Sequence, residues 1–326
     1  MFRRSLFGLV ALASVAVLGT SPAAVAYPDK PVQLIAPYGP GGASDLAART
    51  LASSVPAYLG NAMIVTNRTG AAGVVGSTFV AKSKPDGYTL LLARVGSQAG
   101  VPAINTKIPY KWNDFTFLGL LELNPFVLVV NPNGKYKTFA DLEKAVKAGE
   151  KVSYSSAGVG TLLHIAVAVF ADALGADFNK LKHVPYKGGG KAAAAVIGGH
   201  TDLSFQNLSA VIGAINAGQL SALAVTTKER FKAIPNVPTA AELGHPKLEA
   251  IIGWSGLYGP KGLSDDVVNK WAEVLQGVKK DKSWNRFTTK LGSIPSISSP
   301  AEMEKFAEQQ FTAFRDVTSR LGMTIK

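Results

Sequence analysis

Short apolar runs alternate with helix-length segments along most of the chain. Residues 32–37, 63–66, 89–93, 117–121 and 126–130 are β-rich and read as strands, as do 152–155, 181–185, 203–206 and 220–226. Helical segments lie between them, among them 45–59, 139–147 and 161–174. Strands this short and apolar, separated by helices, are covered on both faces. That predicts an α/β fold of mostly parallel sheets flanked by helices. Two helices close the chain. Ser264 precedes one apolar face at Val267, Val268, Trp271, Val274, Leu275 and Val278, and Ser299 with Glu302 forms a capping box around Pro300.

The N-terminus has a different pattern. Arg3 and Arg4 precede an apolar run over 6–18, and Ala24-Val25-Ala26 offers a small-residue cleavage site. Residues 1–26 therefore read as a cleaved export signal, with the mature chain beginning at Tyr27. Gly8 and Ser14 interrupt the run, which falls short of the roughly 18 strongly apolar residues of a membrane span. About 300 residues remain, the size at which chains tend to split into two domains. No long linker separates them, so the chain is expected to cross between domains twice, near Phe126 and around 251–256. Residues 27–126 with 252–326 then form one lobe and 127–251 the other.

Composition narrows the classes. With no cysteine in 326 residues, a disulfide scaffold, a thiolate metal site, a cysteine nucleophile and a lipoprotein anchor are all excluded. A soluble periplasmic protein fits. The formal charge is +12, but the lysines are scattered rather than gathered into the stripe of a nucleic-acid binder. A net positive field still draws in anions.

Three glycine-rich segments each follow a strand and open a helix. They are Pro37-Tyr38-Gly39-Pro40-Gly41-Gly42-Ala43-Ser44-Asp45, Gly70-Ala71-Ala72-Gly73-Val74-Val75-Gly76 and Ser155-Ser156-Ala157-Gly158-Val159-Gly160-Thr161. Such a turn presents backbone N–H groups at the positive end of a helix dipole, and glycine lets a ligand reach the main chain. Ligands of open α/β sheets gather at the carboxyl ends of strands. Two turns in one half and one in the other thus predict a cleft for a small anion, although any one of them is equally a tight connection. Asp45 sits beside such a site. Capping its own helix, holding a water and meeting a ligand amino group are all open to it.

Nucleotide and catalytic signatures fail. Gly158-Val159-Gly160-Thr161-Leu162-Leu163 lacks the third glycine of the dinucleotide fingerprint. Gly188-Gly189-Gly190-Lys191 has Pro185 in the first glycine position of a phosphate loop and Ala192 where Ser or Thr is required. Gly253-Trp254-Ser255-Gly256 is not spaced as a nucleophile elbow. No cofactor, no metal and no enzymatic activity is expected. His183, His200 and His245 read as packing or surface residues, and His164 stands apart because it opens the helix after the third glycine segment.

Taken in order, these segments resemble the periplasmic receptors of tripartite tricarboxylate transporters, the Bug family. The resemblance runs over the whole mature chain from Tyr27-Pro28-Asp29-Lys30-Pro31-Val32. It takes in Pro40-Gly41-Gly42 with Asp45 and Arg49, Asn67-Arg68 before Gly70-Ala71-Ala72-Gly73, and Pro85-Asp86-Gly87-Tyr88-Thr89-Leu90. Ser155-Ser156 with Gly160 and His164, His183-Val184-Pro185-Tyr186-Lys187-Gly188, Leu223-Ala224-Val225-Thr226 and Pro235-Asn236-Val237-Pro238-Thr239 follow. The resemblance implies a two-lobed, periplasmic-binding-protein-like receptor that closes about a hinge on a small organic acid. Tyr38, Gly42, Asp45, Gly73 and Ser97 would hold one end of the ligand. Ser156, Gly160, Thr161, His164, Gln206 and Asn207 would read the other. A monomer delivering its ligand to a two-subunit membrane permease is the implied system. The alternatives are a closed form that engages a sensor-kinase ectodomain, or a hydrolase, for which no nucleophile–base pair is present.

Arg94 departs from the family pattern, which has a small residue there. At a strand end it either makes a bidentate pair with a second ligand carboxylate, favouring an aliphatic or aromatic dicarboxylate, or is a surface arginine.

Overall fold

A computed structural model describes residues 27–324; the export signal expected over 1–26 lies outside the described residues. Strand β1 (Val32–Ala36) leads through helices α1 (Ala43–Ser54) and α2 (Pro56–Leu59) to β2 (Met63–Asn67). The sequence pattern ran unbroken to 59, but a new short helix starts at Pro56, whose missing N–H cannot continue a ladder. Helix α3 (Val74–Ala81) leads to β3 (Thr89–Arg94), and the three strands pair in parallel in the order β2-β1-β3. A wide turn, Gly96–Gly100, and α4 (Val101–Ile104) follow.

The next strand, β4 (Phe115–Val130), is sixteen residues long. It then gives way to α5 (Phe139–Lys147), β5 (Ser153–Ser156), α6 (Leu162–Ala173), β6 (Lys182–Pro185), α7 (Gly189–Ile197), β7 (Leu203–Asn207), α8 (Leu208–Asn216) and β8 (Ser221–Val225). Strands β6, β5 and β7 repeat the parallel arrangement. The chain returns through β9 (Ile252–Pro260), α9 (Asp265–Lys280), α10 (Lys282–Lys290), β10 (Ile294–Pro295) and α11 (Pro300–Arg320). The fold is α/β with two lobes, each built on three parallel strands flanked by helices and extended by antiparallel crossing strands.

Strand β4 makes the passage between the sheets. It pairs antiparallel with β9 from Phe115 to Pro125 and with β7 from Phe126 to Val130. The two segments that the sequence pattern separates at 117–121 and 126–130 are thus one strand serving both sheets. Strand β9 also pairs with β3, so it lies between β3 and β4. Periodicity did not predict it as a strand, because Gly253, Gly256 and Gly259 break the alternation. Crowding explains two of these glycines: a side chain at Gly253 would run into Asn207 Oδ1, and one at Gly259 into Leu263.

The apolar faces pack as the pattern requires. Val267, Trp271, Val274, Leu275 and Val278 of α9 are buried against the first sheet, where Leu34, Leu51 and Leu257 share their core. Each such burial contributes about 1.5–3 kcal/mol. The Ser299–Glu302 capping box forms and α11 begins at Pro300. Among the described residues no helix is long and apolar enough to cross a membrane.

Candidate ligand-binding site

The carboxyl ends of β1, β3, β5 and β7 face one another across a cavity of about 40 Å³. The first lobe supplies Tyr38, the start of α1 at Gly42, Ala43 and Ser44, and the end of β3 at Arg94, Val95 and Gly96. The second supplies Ala157, Thr161 and the start of α6, Gly189 of α7, and Asn207. Four helices of at least nine residues therefore begin at this cavity or on its wall, and none of them has a side-chain cap: Gly42 precedes α1, Thr161 precedes α6, Gly188 precedes α7 and Asn207 precedes α8. Among the described residues, the four helices of that length that start elsewhere are all capped, by Thr138, Ser264, Asp281 and Ser299. Uncapped first turns leave amide donors and the positive dipole end for a ligand. Such an arrangement is chemically suited to an anion.

Arg94 brings a full positive charge to the same wall. It is only 4% exposed, which removes the surface-arginine reading. Its Nη2 donates to Asn207 Oδ1 at 3.0 Å, joining the lobes, and its Nη1 donates to the Ser255 hydroxyl. Burial pulls the guanidinium below its usual range, opposed by the nearby Glu122 carboxylate, whose Oε1 lies 3.7 Å from Nη1. Glu122 escaped the sequence reading altogether. Ser44 and Gly189 were missed as well, although their positions in the first turns of helices after glycine segments mark them as candidates.

Five of the expected contacts line the cavity: Tyr38, Gly42, Arg94, Thr161 and Asn207. The other seven lie behind or beside it. Asp45 holds its own turn: Oδ2 accepts from the Gly41 amide at 3.1 Å and Oδ1 from Asn67 Nδ2 at 3.0 Å, with Arg49 bound to both oxygens. Burial would raise this carboxyl, but the bonds from Arg49, Gly41 and Asn67 outweigh it and hold the carboxyl below its ordinary range. Gly73 is the floor on which Tyr38 packs, as a methyl there would stand 3.0 Å from Tyr38 Cζ. Tyr38 in turn donates to Ala72 O at 2.9 Å. Ser97 is buried and donates to Arg94 O at 3.3 Å. Gly160 packs on Val101 and Ile104. Gln206 lies behind Gly189, its Oε1 buried and without a partner.

Ser156 and His164 belong to one cluster in the second lobe. Ser156 Oγ is 2.6 Å from His183 Nε2, and the His164 ring stacks on His183 at 4.4 Å. His164 Nδ1 accepts from the Gly160 amide at 3.2 Å, which orders the third glycine turn. Burial, reinforced by the neighbouring imidazole, pushes His164 down to about 3, and burial pushes His183 down to about 4. Both are neutral at pH 7. Among the described residues no group of three His, Asp or Glu side chains is placed to hold a metal ion.

Besides the Arg94–Asn207 bond, the two lobes meet around the cavity largely through main chain. The Gly39 amide donates to Lys187 O at 3.2 Å. A methyl on Gly42 would stand 3.2 Å from the Gly190 nitrogen, one on Gly190 3.0 Å from Gly41 C, and one on Gly158 3.2 Å from Ala72 Cβ. Beyond Tyr38 and Ala157 the cleft widens to an opening of about 420 Å³ bordered by the second glycine turn. Ala71 and Ala72 of that turn both take left-handed φ, 45° and 55°, at a cost of about 1–2 kcal/mol each.

The chain is similar to known proteins over most of its length. A model of the tripartite tricarboxylate transporter family receptor matches residues 47–323. BugT of Bordetella pertussis is 33% identical over 304 residues, which is 92% of either chain. Among solved structures, the periplasmic binding protein BugD superposes with a TM-score of 0.87 at 29% identity, covering 92% of this chain and 100% of BugD. MatC from Rhodopseudomonas palustris with bound malate gives 0.84 at 25% identity, over 89% of this chain and 99% of MatC. A second protein of R. palustris, with adipate, gives 0.86 at 26% identity, over 91% and 98%.

Proposed function

The chain belongs to the tripartite tricarboxylate transporter receptor family, and from that premise we propose that it captures a small dicarboxylate between its lobes for a two-subunit membrane permease. One observation carries the reading: four uncapped helix starts and a buried arginine converge on a single cavity. A carboxylate at the helix starts and a second one at Arg94 would satisfy both sets of donors. The malate and adipate bound by two structural neighbours are dicarboxylates of different length, in keeping with this chemistry. The lobes, 27–126 with 252–326 and 127–251, hinge where β4 and β9 pass between the sheets. The chain acts as a monomer in the periplasm after removal of 1–26, without a cofactor and without catalysing a reaction.

A thermal-shift panel of mono-, di- and tricarboxylates, amino acids and carboxamides tests this reading. A ligand at about 100 times its Kd adds roughly 2.7 kcal/mol, which raises the melting temperature by a few degrees. At least one dicarboxylate is expected to do so, and more strongly than its half-amide. A panel in which no carboxylate stabilises the protein overturns the proposal.

A further inference from the structure

We propose that Glu122 is a specificity-determining residue of this site, balancing the charge of Arg94 from across Ser255 and so setting how strongly a second negative charge on the ligand is rewarded. The inference rests on the carboxylate-receptor reading above and goes on to name the residue that adjusts it.

The three side chains stand on one rung. Arg94 of β3 is opposite Ser255 of β9, and Ser255 is opposite Glu122 of β4, so all three project from the same face of the sheet. The Ser255 hydroxyl accepts from Arg94 Nη1 and donates to Glu122 Oε1 at 2.9 Å. Asn124 Nδ2 donates to the same Oε1 at 3.0 Å. The direct separation of guanidinium and carboxylate, 3.7 Å, is that of an ion pair without a hydrogen bond of its own. Glu122 is 6% exposed and Ser255 0% exposed, so little water screens the pair.

The arrangement has a front and a back. Arg94 reaches the cavity wall whereas Glu122 does not. Two of the five guanidinium N–H groups are taken by Ser255 and Asn207, so the side chain that lines the cavity still has donors to spare. A ligand carboxylate at Arg94 therefore meets the arginine first and the glutamate's opposing charge one layer behind it. An arginine without this counter-charge would separate a dicarboxylate from its half-amide more sharply.

The test compares ligands of equal shape and unequal charge: succinate against succinamate, and adipate against adipamate, titrated calorimetrically. Glu122→Gln is expected to raise the affinity ratio of diacid to half-amide by on the order of tenfold, the worth of one nearby unit charge in a partly screened site. Glu122→Asp keeps the charge in the fold but draws it back by one methylene, and is expected to move the ratio the same way by roughly two- to threefold. Ser255→Ala keeps both charges and should leave the ratio within about twofold. A ratio unchanged in both Glu122 variants, or one that moves the other way, overturns the proposal. If the unaltered protein binds neither member of either pair while other carboxylates stabilise it, Glu122 does not grade dicarboxylates and the inference falls alone. If no carboxylate binds at all, the receptor reading falls with it.

Discussion

Arg94 and Glu122 hold opposite charges in a place that water scarcely reaches, and each is the condition of the other's burial. Removing one leaves the second uncompensated, which typically costs 3–5 kcal/mol. Arg94→Ala is therefore expected to lose about that much stability in urea unfolding, and Arg94→Met combined with Glu122→Gln to lose clearly less. The buried histidines carry a different signature. His164 and His183 titrate at about 3 and 4 in the folded chain, against roughly 6.5 when unfolded. Between those values the unfolded state binds more protons, so stability rises with pH through the window and is lost on acidification. His164 alone should cost about 2 kcal/mol on going from pH 7 to pH 5, and half-buried His183 less. Urea midpoints at the two pH values measure this, and His164→Gln should flatten the difference. The sequence made Arg94 visible because it ends a strand and stands where the family pattern has a small residue. Glu122 was invisible because its partner is chosen by β9, which sets Ser255 opposite both residues.

Helices divide by how they begin. Those at the periphery are closed by Thr138, Ser264, Asp281 and Ser299, whereas α1, α6, α7 and α8 start without a side-chain cap. Ser299→Ala should cost about 1 kcal/mol and lower the melting temperature by roughly 2–4 °C, with ligand affinity unchanged. Ser44→Ala, in the first turn of α1, should do the reverse. Its hydroxyl is buried on the cavity wall without a partner, so stability is expected to hold while ligand affinity falls several-fold, as the loss of one hydrogen bond implies. Calorimetric titration of both variants separates the two outcomes. At this scale the sequence was readable wherever apolar spacing and capping agree, as along α5, α9 and α11. It failed at β9, where glycines serve close packing rather than turns, and at β4, where Glu122, Asn124 and Pro125 interrupt the apolar run between 121 and 126 yet stay within one strand.

For the whole molecule, what matters is how the lobes touch. Their contacts run from Gly39 to Lys187, from Gly42 to Gly190 and from Ala72 to Gly158; Gly39, Gly42, Ala72 and Gly158 lie in turns that the sequence offers as anion sites or tight connections, and Lys187 and Gly190 lie in a segment that fails as a phosphate loop. Turn chemistry shows that glycine is needed there; only the fold shows that a second backbone is the reason. Gly190→Ala would place a methyl 3.0 Å from Gly41 C. The expected result is a normally stable protein whose radius of gyration in X-ray scattering no longer contracts on adding ligand, with affinity lowered about tenfold or more, since the closed form supplies half the donors. Because backbone abuts backbone at Gly39–Lys187 and Gly42–Gly190, no rotamer has to be rearranged for these contacts to form. On the proposed function, side chains around the guest can thus be exchanged over evolutionary time without altering the outer contour of the shut receptor, so that taste for a given acid and the silhouette shown to a permease would drift independently.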